Sequence, residues 1–166
     1  MRASPTKIVL ALAAWEGFWW LWQQGERKRG FARAHALAVS AGKPLLVVGE
    51  PDGEYPCGDV TVDIRARSVC PNYVQRSVED LSVFRAKQFG AAFVSCTLEF
   101  TCAPELALAE LHRVADHVVV VAIKPWRLMS FLPPGRKWIL AAGRPAFPLP
   151  WGHCNLPGRY GTEKAT

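Results

Sequence analysis

The stretch AAFVSCTLEFTCAPELALAELHRVADHVVVVAI, Ala91–Ile123, holds two apolar runs separated by a helical pattern. Ala91–Cys96 and His117–Ile123 are short and continuously apolar, as strands buried on both faces are. Between them Pro104 suits a first helical turn, and Glu105 complements the positive helix end. Leu108, Leu111 and Val114 then form an apolar stripe, and Arg113 complements the negative end. Strand, helix and strand in this order imply a parallel pair joined by a right-handed crossover.

Upstream, Leu45–Gly49 and Val60–Ile64 repeat the buried-strand pattern. Only Glu50–Asp59 separates them, ten residues with two Gly and two Pro, too short and too broken for a helix. Gly42 reads as a helix stop, and Pro44 leads into the first strand. Downstream the chain is dense in Pro and Gly; KWILAA adds one strand, and beyond Arg144 irregular chain is expected. The expected fold is α/β: a Rossmann-like, mostly parallel sheet, truncated, with an N-terminal apolar helix. Three segments follow: a helical one over 1–41, the α/β domain over 42–145, and a Pro/Gly-rich tail over 146–166.

At 166 residues, half of them hydrophobic and a fifth charged, the chain is long enough for one domain with a real core. The formal charge is +6, with basic residues concentrated in Gly25–Arg33. A charge of this size fits ordinary solvated surface better than a nucleic-acid groove. The five cysteines are odd in number and contain no Cys-x-x-Cys pair. No metal site is expected from them, and a reducing, cytoplasmic setting is the simpler reading. Cys96 reads as a small buried hydrophobe.

Ile8–Trp22, IVLALAAWEGFWWLW, is almost wholly apolar, with four Trp and one acid, Glu16. It has the basic start and short apolar run of a signal peptide, although Trp15 and Glu16 follow ALAA at once. Other readings are a membrane span that buries Glu16, an interfacial helix, and a helix packed on the sheet or on a sister subunit. Phe31–Pro44 continues as a second, Ala-rich helical stretch. A membrane surface or a protein partner through Ile8–Trp22, and an oligomer, all follow as expectations.

Parallel α/β sheets bind ligands at the carboxyl ends of their strands. Gly49, Glu50 and Gly53 follow the first strand, Asp63 ends the second, Glu79, Asp80 and Leu81 precede an apolar turn, and Ser95 to Leu98 follow the third apolar run. These features, with VEDLSVF and FGAAFVSCTLEFTCAPELALAELHRVADHVVVV, resemble S-adenosylmethionine-dependent methyltransferases of the Rossmann-like, methyltransferase type 11 kind. The resemblance covers about residues 42–121, and the opening stretch LLVVGEPDGEYPCGDVTVDI (Leu45–Ile64) is similar to a subset of that family with a short first connection. It implies S-adenosylmethionine as cofactor. Gly49 and Gly53 would surround its methionine part, Asp63 would bind the ribose hydroxyls, and Asp80 and Leu81 would meet the adenine. Ser95 to Leu98 would line the floor near the methyl group.

The chain also departs from the family. Val47 stands where an acid is usual, Pro51 replaces the central loop glycine, Gly90 replaces an acid, Phe100 replaces a histidine, and the last antiparallel strand pair is not expected. Glu50 then becomes a candidate partner for the cofactor's ammonium group. No catalytic residue is assigned; Glu99 is the nearest acid by position. The expected function is methyl transfer to an unknown acceptor. The alternative is a methyltransferase-like structural or interaction subunit without activity, membrane-associated through its first helix.

Overall fold

The computed structural model describes residues 4–51, 53–66, 68–124, 136–141 and 144–149. The expected tail falls, from residue 150 on, outside the described residues. The chain opens with one helix, α1, over Pro5–Ala41. Pro5 at the first turn has no N–H to leave unsatisfied. At the other end Gly42, at φ +63°, donates to Val39 O while Lys43 N donates to Ala38 O. This left-handed cap ends the helix where the glycine predicts. The two helical stretches read from the sequence are therefore a single rod, roughly 55 Å long at 1.5 Å per residue.

Five parallel strands follow in the order β3-β2-β1-β4-β5: β1 Leu45–Val48, β2 Val60–Asp63, β3 Tyr73–Gln75, β4 Phe89–Ser95 and β5 Ala115–Val121. This is the α/β sheet the apolar runs imply. Three-residue β3 has no run of its own and is absent from the sequence reading. A short 3-10 turn over Leu98–Phe100 and helix α2, Pro104–Val114, connect β4 to β5. β6 (Trp138–Ala141) and β7 (Arg144–Pro148) pair antiparallel in a separate two-stranded sheet. An antiparallel pair is thus present where none was expected. β7 also replaces irregular chain just past Arg144; its prolines, tolerated at sheet edges, had masked it.

Both faces of the sheet are covered. On one, Leu46, Val48, Ala92 and Val94 pack with Leu98, Ala107, Leu111 and Val114 beneath α2. On the other, Leu45, Val47, Ala91 and Phe93 meet Ala34 and Ala38 of α1, with Phe31, Leu37 and Tyr55 alongside. The absence of a helix between β1 and β2 is made good by α1 arriving from the N-terminus. Gly30, Ala34 and Ala38 recur every four residues and form a narrow seam on the helix. A Cβ on Gly30 would lie 2.6 Å from Val121 Cγ2, and one on Gly90 of β4 would lie 2.9 Å from Ala38 Cα. Helix and sheet approach at distances only glycine permits. The second half of α1 is part of the core; the first half projects from it.

Candidate functional site

The chain runs from β1 outward to β2 and β3, then returns to the other side of β1 as β4. At such a reversal the loops leaving β1 and β4 separate, and a crevice opens at their carboxyl ends. A cavity of about 410 Å³ lies there, within the range of small-molecule sites. Gly49, Glu50, Asp63 and Ser95 line it together, although they come from the ends of three separate strands, β1, β2 and β4.

Gly49 adopts φ +94°, and a Cβ there would fall 2.5 Å from Thr97 Oγ1. Its glycine is required twice over, by conformation and by the threonine against it. Thr97 Oγ1 in turn donates toward Val48 O (3.3 Å) and Ser95 O (3.1 Å), tying the β1 and β4 exits together. Asp63 accepts from Glu50 N (2.8 Å) and Arg65 N (3.2 Å). Its carboxylate therefore orients the loop after β1 as well as facing the cavity. Tyr73 donates to Asp63 O at 2.9 Å and also to Arg65 O. Burial, with Asp63 and Glu50 next, raises the Tyr73 hydroxyl pKa, so the ring remains a protonated donor.

Glu50 Oε1 accepts from Val69 N at 3.2 Å, while its Oε2 is buried and has no hydrogen-bond partner. A buried carboxylate oxygen without a donor costs free energy in the absence of a cation or donor from elsewhere. Cys57 and Cys70 are joined in a disulfide, Cα atoms 5.6 Å apart, which clips the β1–β2 connection to the segment carrying Val69. Cys102 is disulfide-bonded too. The cysteine spacing carries no signature, and only the fold brings Cys57 and Cys70 within bridging distance.

The remaining sequence candidates lie elsewhere. Gly53 sits in the same loop at φ +79° but does not line the cavity. Asp80 is outside the lining and faces Arg76 at 3.9 Å. Its hydrogen bonds from Ser82 hold its pKa below the usual carboxylate value. Leu81 is fully buried in the core beneath α2. The wall in that region is made by Ser77, Val78 and Glu79 instead. Leu98 is also core, whereas Ser95, Cys96 and Thr97 do line the cavity. Glu99 is buried, does not line the cavity, and accepts from Ile123 N at 2.6 Å. It fastens the 3-10 turn to the end of β5, and burial raises its pKa.

The contribution of α1 to the cavity was not legible in the sequence. Arg27 of α1 lines the cavity, pairs with Glu54 and donates to Cys96 Sγ at 3.2 Å. It lies 22 residues before Gly49, on a helix whose docking no local pattern reveals. Cys96 is a half-buried cavity residue with φ +52°, a conformation costly for a side chain with Cβ, and not merely a core filler. Burial, then the Glu99 charge, pushes its thiol pKa up, so it is a poor nucleophile. Among the described residues no group of three or more His, Cys, Asp or Glu could hold a metal ion.

No family model matches this chain, and no curated protein or solved structure matches it. The parallel sheet and its crevice define a Rossmann-like fold, and the fold by itself does not specify an activity.

Proposed function

We propose that the crevice binds S-adenosylmethionine and that the protein transfers its methyl group to an acceptor. The observation that carries the proposal is Glu50 Oε2, a buried carboxylate oxygen without a donor, in a cavity that also holds Asp63 and the glycine loop. The cofactor's α-ammonium group would supply the missing donor to Glu50. Asp63 is placed to accept from vicinal hydroxyls, and the apolar wall at Val62 and Val78 suits a flat base. When bound, S-adenosylmethionine supplies an electrophilic methyl group on a sulfonium. The chain's own task is to align it and to exclude water. Neither Glu99, which is outside the cavity, nor Cys96, which is held as a thiol, is needed as acid, base or nucleophile.

The adenine contact proposed for Asp80 moves to Ser77–Glu79, which border the crevice. A second reading, a cofactor-binding subunit without turnover, rests on the engagement of Asp63 with the backbone of Glu50. Calorimetric titration of Glu50→Gln with S-adenosylhomocysteine tests the ammonium contact. About a ten-fold weaker affinity than the parent is expected, for loss of a charge-assisted hydrogen bond worth ~1.5 kcal/mol or more. Unchanged affinity would remove Glu50 from the site.

A further inference from the structure

The first half of α1 stands clear of the core. Every residue from Pro5 to Trp22 is exposed except Glu16 and Trp19, which are half-buried. From Ile8 on, many of the exposed side chains are large and apolar: Leu10 and Leu21 are each 64% accessible, Phe18 54% and Trp20 52%. Leu12, Trp20, Leu21 and Phe18 point in four directions around the axis at 100° per residue. A partner protein or a second copy would cover one stripe of such a helix, and an amphipathic stripe is what helix pairing requires. Apolarity on all sides calls for a solvent, not a groove.

The residues are also graded along the axis. After the exposed Lys7, Ile8–Ala14 is aliphatic, Trp15–Trp22 carries the four tryptophans, and Lys28, Arg29 and Arg33 are exposed just beyond. Arg29 lies over the Trp22 ring, 5.8 Å from its centroid. Aliphatic, then Trp, then basic is the order in which a bilayer presents its hydrocarbon, its interface and its anionic headgroups. No helix among the described residues is long and apolar enough to cross a membrane. We infer that Ile8–Trp22 inserts obliquely into one leaflet of an anionic lipid bilayer, with Lys7 reaching back toward the headgroups, the tryptophans at headgroup level and the sheet domain held at the surface by Lys28 and Arg33.

Density-gradient flotation of the full chain with phosphatidylcholine vesicles, with and without phosphatidylglycerol, tests this. The protein should float with both, about ten-fold better with phosphatidylglycerol at low salt, and the difference should shrink as salt screens the headgroups. Leu12→Lys with Leu21→Lys, both at exposed positions, should abolish flotation while leaving the folded near-ultraviolet spectrum intact. Lys28→Glu with Arg33→Glu should erase only the anionic preference. Parent protein that stays in the dense fraction with both vesicles would overturn the inference. So would a stable dimer that the Leu12/Leu21 variant dissociates without any vesicle binding by the parent.

Discussion

Glu99 is a carboxylic acid in an environment at odds with its charge. It is fully buried, one oxygen accepts from Ile123 N, and the other has no hydrogen-bond partner. Burial raises its pKa above the ordinary 4.5 despite the Ile123 amide and the nearby guanidinium groups of Arg136 and Arg27. The folded chain therefore holds this proton more tightly than the unfolded chain. The sign follows by linkage: the contribution to stability is full below the unfolded pKa and is lost as pH rises through the folded value. Glu99→Gln keeps an oxygen for Ile123 N and removes the titration. Urea denaturation across pH should show a smaller decline toward alkaline pH in the variant than in the parent. A parallel decline would mean that Glu99 is already ionised in the fold. Glu50, by contrast, lines the crevice and keeps a buried oxygen without a hydrogen-bond partner, and the proposal assigns that oxygen to a ligand.

At the scale of elements, the docking of α1 on β4 decides the architecture. Gly90 gives the helix its approach, with Ala38 Cα 2.9 Å from where a Cβ would be. Gly90→Val forces the backbones apart and should cost about 1–3 kcal/mol by overpacking, read as a lower urea midpoint. An unchanged midpoint would show that α1 slides to accommodate the side chain. The disulfide between Cys57 and Cys70 closes a loop of 13 residues' separation. Cys57→Ser with Cys70→Ser should lower stability by about 3 kcal/mol, and peptide mapping without reductant should find the two cysteines linked in the parent. Alkylation of both in unreduced protein would contradict the bridge.

These elements mark what was readable. β1, β2, β4 and β5 announce themselves because strands buried on both faces must be continuously apolar, and α2 because its stripe, first-turn proline and end charges agree. β3 is too short to carry a pattern, and the prolines of β7 argue against the strand it forms. The seam of Gly30, Ala34 and Ala38 is silent because small residues look like weak hydrophobicity until the partner strand is known. The same holds for the site. Gly49, Glu50, Asp63 and Ser95 follow from the rule that strand ends bear ligands, whereas Arg27 and the disulfide depend on long-range contacts. Asp80 and Leu81 illustrate the converse, residues named by a motif that the chain's geometry directs elsewhere.

For the whole molecule, the sheet places one crevice at the exits of β1, β2 and β4, and α1 bounds it through Arg27 before continuing outward as an apolar rod. The central claim is that this crevice is a cofactor site. Asp63→Asn retains an oxygen for Glu50 N, gives up the acceptor for Arg65 N and weakens acceptance from a diol; an unchanged urea midpoint of the variant separates ligand binding from loop order. The most direct measurement is isothermal titration of the parent protein and Asp63→Asn with S-adenosylmethionine and S-adenosylhomocysteine. The account predicts micromolar binding of both by the parent and at least about ten-fold weaker binding by the variant, the equivalent of ~1.4 kcal/mol. No heat and no thermal stabilisation of the folded parent at millimolar ligand would contradict it.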